Sequence, residues 1–507
     1  MTRDVNQLRA PIVEALLTYE AQDSVSLHVP GHKDGAAYAK WAAEDEGMAE
    51  VCRRYAALLR QDVTEVDGTD DLHQPTGAIR EAQELAAACY GAEETHFLVG
   101  GSTSGNVAAV LTCCTQPGDI VLVQRNVHKS VLNGLRLAGA RAVFLSPRVD
   151  QASGLATAPA AAAVQQALAR YPQAKAVVAC SPNYFGLGVD VQELAAAAHA
   201  AKVPLIVDEA HGAHYGMHAA LPRSALQAGA DLVVQSTHKM LGGMTMSAML
   251  HVQGPWVDRT RLKRMLTMVQ SSSPSYPLLA SLDMSRYMLA VKGEALFTDG
   301  LAAVQHVRQA LDQLQHLSAM ATDAQQYTQD PFKLVITDNT GHWSGYRLLE
   351  ELGTRKCVAE MANEHYVVLL FSYASTKQDA DRLIEALVHI DIELGKLQPA
   401  KPPIDEQSSI SDIWSEEQSI PAEPITFSIY NGDQHEVITV SVQEAAGTYA
   451  AESVVPYPPG IPLLYEGERI TEQHVNLLLR LSAQGAKCQD IQDPTLQHIQ
   501  VYRSSCK

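Results

Sequence analysis

Between residues 90 and 255 the chain repeats one rhythm, a short apolar run followed by an amphipathic stretch. The runs are Thr95–Val99, Ile120–Val123, Ala142–Leu145, Ala176–Cys180, Leu205–Asp208 and Leu232–Gln235. Each is too short for a buried helix and is rich in β-branched residues, so each reads as a strand with both faces covered. Between them apolar residues recur at helical spacing. Ile79, Ala82, Leu85 and Ala86 follow Gly77 in this way, and the run ends at Cys89-Tyr90-Gly91, where the glycine suits a C-terminal cap. Alternation of this kind predicts an α/β fold, a mostly parallel sheet with helices on both faces.

Outside that block the pattern changes. Leu8, Ile12, Leu16 and Leu17 mark a helical arm, and the Pro/Gly/His run His28–Gly35 suits a loop. Asp62–Asp71 is an acidic run best read as a solvated loop. The alanine-rich segment 150–170 predicts a surface helix, and Leu278–Ala302 one long connecting helix. Lys333–Ile336 and Tyr366–Phe371 predict strands of a smaller α/β unit. From Gln398 to Glu423, Pro, Ser and acidic residues appear without periodicity, as in a linker. Expected boundaries are therefore an arm over 1–35, a large domain over 36–302 and a small domain over 303–397. A linker over 398–425 and a C-terminal domain over 426–507 complete the chain. The last contains Val454–Leu464, whose four prolines rule out a helix or a central strand there.

Composition narrows the class. A chain of 507 residues exceeds one ordinary core, and 46% hydrophobic residues indicate a globular protein. A formal charge of −19 argues against nucleic acid or an anionic membrane as partner. No apolar run is long enough to span a bilayer, and the first twenty residues lack the form of a signal peptide, so a cytoplasmic location is expected. Eight scattered cysteines form no C-x-x-C pair, so no metal or redox site is expected and they read as buried thiols.

Chemistry gathers where strands end. Gln235-Ser-Thr-His-Lys-Met-Leu-Gly-Gly243 places one lysine, Lys239, after a buried strand. A desolvated ammonium is costly, so such a group tends to lose its proton or bond covalently, as in a Schiff base with an aldehyde cofactor. Asp208 ends an apolar strand, where a carboxylate needs a cation; a structural salt bridge or a protonated ring nitrogen would each serve. Gly100-Gly-Ser-Thr-Ser-Gly-Asn106 opens a helix and aims free N–H groups and hydroxyls at an anion, or is simply a well-capped turn. His128, at another strand-to-helix junction, is either a cap or a ligand-facing ring. A carboxylate, a flat ring, an anion cradle and a lysine are together what pyridoxal 5'-phosphate requires.

These segments, together with HVPGHKDG (28–35), RNVHKS (125–130), SPNYFGLGVD (181–190), DEAHGAH (208–214) and VVPYPPGIPLLYEGE (454–468), resemble the Orn/Lys/Arg decarboxylase family in order and spacing. That family has the aminotransferase-like fold type I of pyridoxal-phosphate enzymes. The likeness covers nearly the whole chain and resembles the short form without an N-terminal wing domain. It implies that Lys239 forms the Schiff base, Asp208 pairs with the ring nitrogen and His128 stacks on the ring. Ser102, Thr103, Ser236 and His238 would hold the phosphate. Ala210 would pack beneath the ring, His211 would sit near its polar edge and Asn183 would bind the cofactor. Ser272 or Ser273 would reach a partner subunit's phosphate, which implies a homodimer or a larger assembly of dimers.

By the same resemblance the reaction is decarboxylation of a basic amino acid, with arginine favoured over lysine and ornithine. Lys239 or His238 would return the proton. Glu444, Glu452 and Glu468 are candidates for the substrate's distal cation, Glu444 first. An aminotransferase is the rival enzyme and would require an α-carboxylate-binding arginine, Arg347 or Arg355. A non-catalytic relative would be expected to have lost Lys239, Asp208 or the hydroxyl cradle, and this chain retains all three.

Overall fold

The computed structural model describes residues 6–397, 423–429, 436–456, 462–483, 488–489 and 491–503. Its centre is an eight-stranded sheet. The strands are β1 (Glu94–Leu98), β2 (Ile120–Gln124), β3 (Arg141–Leu145), β4 (Ala176–Cys180), β6 (Leu205–Asp208), β7 (Leu232–Gln235) and β8 (Ala248–Val252), with β5 (Leu187–Gly188) paired elsewhere. The eighth member is β14 (Ile425–Thr426), and the spatial order is β1-β8-β7-β6-β4-β2-β3-β14. Strands β7, β6, β4, β2 and β3 run parallel; β8 is antiparallel to both its neighbours. The central strands are buried on both faces, which is why their sequences are continuous apolar runs rather than alternating ones.

Helices cover the two faces. One helix, Gly101–Cys113, lies over the sheet and buries almost its whole length, including Ser104, Asn106 and Thr112. The helix Ala78–Tyr90 ends on Gly91 in the left-handed region (φ 77°), as its position predicts. Its start is fixed by Asp70, whose carboxylate accepts the N–H groups of Thr76, Gly77, Ile79 and Arg80 at 2.8–3.3 Å. The acidic run at 62–71 is therefore partly a helix cap and not only solvated surface.

Three other expectations change. The alanine-rich helix is confined to Ala161–Arg170, because Asp150 instead organises a turn by accepting from Ser153 N–H and hydroxyl. The long connecting helix stops at Lys292, where Gly293 takes φ 52°; a short 3-10 turn to Phe297 and a second helix, Thr298–Leu311, follow. The end of the expected linker is a strand: Ile425 and Thr426 pair with Ala142 and Arg141 on the open edge of β3.

A second sheet joins β12 (Met361–Ala362), β13 (Val367–Leu370), β11 (Lys333–Asp338) and β9 (Leu317–Ala319), all antiparallel. Between β9 and β11, β10 (Thr328–Gln329) pairs back with β5, stitching this unit to the loop after β4. A third core gathers Val442, Val454, Leu464, Leu478 and Val501 of the C-terminal region. Tyr457–Ile461, the middle of the Pro-rich motif, lies outside the described residues. No helix among the described residues is long and apolar enough to cross a membrane.

Candidate active site

The loops leaving the carboxyl edge of β1, β2, β4, β6 and β7 converge on one cleft, the place where open α/β sheets gather ligand-binding groups. Ser102, His128, Asn183, Asp208, Ala210, His211 and Lys239 all line it. Lys239 itself is not on a strand. It sits on a four-residue helical turn, Thr237–Met240, that begins one residue beyond the end of β7.

Asp208, at the last position of β6, is 3% exposed. Its Oδ2 accepts from Asn106 Nδ2 at 2.8 Å and its Oδ1 from the Ala210 N–H at 3.1 Å. Asn106 also donates to Ser130 Oγ (2.9 Å), and Ser130 Oγ meets His128 Nδ1 at 2.8 Å. The Ser130 backbone N–H donates to the same nitrogen, so Nδ1 is an acceptor and the ring proton lies on Nε2. His128 is thus both things its position suggested, the N-cap of the helix Lys129–Ala138 and a ring lining the cleft. Burial lowers its pKa.

Lys239 Nζ lies 3.0 Å from His211 Nε2 and 5.5 Å from the centre of the Tyr184 ring. Burial lowers its pKa, against the opposing charge of Asp208. His211 is pushed well below the ordinary histidine range, first by burial and then by the charges of Lys333 and Lys239. Cys180, beside Asp208 in the β4–β6 register, is held well above the thiol range by burial. By exposure it is only partly buried, and it lines the cleft.

Of the residues expected to hold the phosphate, Ser102 lines the cleft, and Thr103, Ser236 and His238 are not among its lining residues. Gly101 adopts φ 71° at the start of its helix, and its N–H donates to Met246 O at 2.8 Å. Ser236 Oγ, Thr237 Oγ1 and Ser247 Oγ are buried hydroxyls with no hydrogen-bond partner among the described residues, a costly condition unless a ligand satisfies them. His238 Nδ1 bonds Ser247 O at 2.9 Å, which fixes the turn that presents Ser236. Thr103 is exposed on the first turn of the helix, one residue from Ser102. Asn183 borders the cleft, but its side chain is spent on the backbone of Ala156, Phe185 and Leu187, so it shapes the loop.

The carboxylates proposed for a substrate cation divide sharply. Glu468 forms a buried ion pair with Arg125 and accepts from Tyr465 N–H, while the Tyr465 hydroxyl donates to Arg125 O. It docks the C-terminal region on the loop after β2, and is not left open for a substrate. Glu452 accepts from the N–H groups of Gln492 and Gln500, both at 2.7 Å, and is equally committed. Glu444 lies exposed on the turn Val442–Glu444. The arginines an aminotransferase would need are also engaged: Arg347 pairs with Glu350 and Glu351, and Arg355 with Glu351 and Glu393. Neither lines the cleft.

The family model described as the Orn/Lys/Arg decarboxylase major domain matches residues 10–325, and that of the C-terminal domain matches 427–488. The chain belongs to the Orn/Lys/Arg decarboxylase family. It is 32% identical to an arginine decarboxylase of Bacillus subtilis over 98% of this chain and 99% of that one. Identity to the lysine decarboxylase LdcA of Pseudomonas aeruginosa is 25%, over 93% of this chain and 75% of that one. The crystal structure of the lysine decarboxylase LdcF of Francisella novicida superposes with a TM-score of 0.78 at 18% identity, covering 98% of this chain and 81% of that one. As a member of this family the protein is a pyridoxal-phosphate-dependent decarboxylase of basic amino acids.

The residues present suit that cofactor. Unpartnered buried hydroxyls lie on the turn that carries Lys239 and just before β8, a buried carboxylate is oriented by two donors, and a desolvated lysine shares the cleft with that carboxylate. Asn106, Ser130, Tyr184 and Lys333 are further members of the site that sequence reasoning did not single out. Asn106, Ser130 and Tyr184 stood inside quoted motifs. Lys333 was read only as a strand residue.

Proposed function

We propose that the protein converts arginine to agmatine and CO₂, acting as a homodimer. The observation that carries the choice of substrate is the end-to-end likeness to arginine decarboxylases, 32% identical over 98% of this chain, against 25% for a longer lysine decarboxylase.

Pyridoxal phosphate, when bound, withdraws the electron pair left by the departing carboxylate. The chain's own groups do the rest. Asp208, held by Asn106 and Ala210 N–H, keeps a proton at the cofactor's ring nitrogen and so maintains its electron demand. His128 provides the flat face, and Ala210 the small residue on the other side. Ser102, Ser236 and His238, with Thr103 at the rim, hold the phosphate. Lys239 anchors the cofactor through its amine, and Lys239 or His238 delivers the proton to the α carbon.

Arg347 and Arg355 are tied to glutamates outside the cleft, which speaks for decarboxylation over transamination. Glu444 is the exposed carboxylate among the three considered, and we assign it to the distal guanidinium; a carboxylate can meet that group through two parallel hydrogen bonds. Exposed Ser272 and Ser273, in the loop before Tyr276, are assigned to the phosphate of the partner subunit.

The test offers arginine, lysine and ornithine in equimolar competition to the cofactor-loaded protein and separates the amines formed. Agmatine should dominate. Cadaverine or putrescine as the main product overturns the substrate, and keto acid without amine overturns the reaction.

A further inference from the structure

Lys333 opens strand β11 of the second sheet and is 1% exposed. Its Nζ leaves that sheet for the active-site loops. It donates to Tyr184 O at 2.9 Å and meets His211 Nδ1 at 2.9 Å. On the far side of the same ring, His211 Nε2 lies 3.0 Å from Lys239 Nζ. One buried imidazole therefore bridges two lysine nitrogens.

A neutral imidazole offers one N–H and one lone pair. Two ammonium groups would both require a lone pair, so the two lysines cannot both be charged while both bonds stand. The surroundings select Lys333 as the ammonium. The charge of the fully buried Asp330 carboxylate favours its protonated form, which donates to Tyr184 O and to His211. Nδ1 of His211 then accepts from Lys333, Nε2 carries the hydrogen, and that hydrogen points at Lys239.

We infer that Lys333 is a positioning residue that fixes His211 as the Nε2–H tautomer, and that this tautomer holds Lys239 as a neutral amine with its lone pair engaged but chemically available. The inference rests on Lys239 being the lysine that anchors the cofactor. An amine adds to an aldehyde carbon through its lone pair: the N–C bond forms, two N–H protons leave with the carbonyl oxygen as water, and no redox partner is needed. A protonated lysine cannot begin that addition.

Burial lowers Lys333 to about 8 against the charge of Asp330, and lowers both Lys239 and His211. The groups acting on Lys239 are Asp208, Cys180 and Glu360, and His211 also feels His128 and His238. None of these hydrogen-bonds to a His211 ring nitrogen, so the tautomer is set by the two lysines.

The test uses the full chain, cofactor-free and labelled with ¹⁵N-histidine, with His211→Gln to assign the resonance. The expected spectrum has a pyridine-like Nδ1 and a pyrrole-like Nε2. Lys333→Met removes the donor and should mix the tautomers and slow acetic-anhydride labelling of Lys239 at pH 7 about tenfold, the effect of one pKa unit. Lys333→Gln restores a neutral donor and should recover the tautomer and most of the labelling, which a bare charge effect would not. A native spectrum with the proton on Nδ1 overturns the inference, as does Lys333→Met with unchanged tautomer and labelling. Should Lys333→Met fail to fold, the native and Lys333→Gln spectra still decide. No readout depends on turnover, so a wrong substrate and a wrong tautomer are told apart.

Discussion

Asn106 Nδ2 stands 2.8 Å from Asp208 Oδ2, a contact that joins the helix after β1 to the end of β6 across 102 positions of sequence. Through Ser130 the same amide is coupled to His128, so one side chain orients both the carboxylate and the ring assigned to the cofactor. Asn106→Ala leaves a buried carboxylate short of one donor. Hydrogen bonds to charged groups contribute about 1.5–3 kcal/mol, so CO₂ release should fall roughly 10- to 100-fold. Cofactor absorbance should persist, and a radiometric CO₂ assay against bound cofactor reads both at once.

Lys239→Ala should fold and keep a native circular dichroism spectrum, yet show neither the Schiff-base absorbance band nor CO₂ release. Full turnover in that variant would remove Lys239 from its role. Asp208→Asn tests a different property. The amide can still fill the space but carries no charge to hold a proton at the ring nitrogen, so cofactor should be retained in part. The rate should drop by about 10²–10³, the size typical of a lost electrostatic contact in an active site.

The parts of this site legible in sequence were those fixed by backbone position. Asp208 and Lys239 follow buried strands at the carboxyl edge, and the α/β alternation alone brings their loops together. Lys333 was illegible for the opposite reason. It reaches the cleft from another sheet, and only tertiary packing sets it beside His211. Glu468 misled because an acidic residue after a Pro-rich loop says nothing of its partner, and Arg125 lies 343 positions away. The break at Gly293 was invisible to periodicity, since the apolar spacing continues through it and only the backbone conformation changes.

Glu468 offers a direct contrast between a structural and a substrate-binding carboxylate. Its partner Arg125 also lies over the Phe144 and Tyr465 rings, 5.9 and 5.1 Å from their centres. Glu468→Gln strands that buried guanidinium, and breaking such a pair costs about 3–5 kcal/mol. The melting temperature should fall, and limited proteolysis should release the C-terminal region first. KM for arginine should change far less than stability does. Glu444→Gln should do the reverse, raising KM with little change in melting.

Acid should loosen the large domain through His251. This residue lies on β8, fully buried, with Thr95 Oγ1 2.8 Å from Nδ1 and Gln235 Oε1 3.0 Å from Nε2. Gln235 Oε1 can only accept, so Nε2 carries the proton and Nδ1 takes the threonine hydroxyl; the ring is satisfied in its neutral form. Burial depresses its pKa from 6.5 to about 3. Between those values the unfolded chain binds a proton that the folded chain does not, so stability falls as pH drops from 6.5 towards 3, at up to about 1.4 kcal/mol per pH unit. Partly buried His96, lowered to about 4, acts in the same direction over the upper part of that window. His251→Gln removes the titrating group while keeping a polar side chain. Denaturant melts at pH 7, 6, 5 and 4 should show lower stability at pH 7 but a shallower decline. A variant curve parallel to the native one would assign the acid sensitivity to other groups.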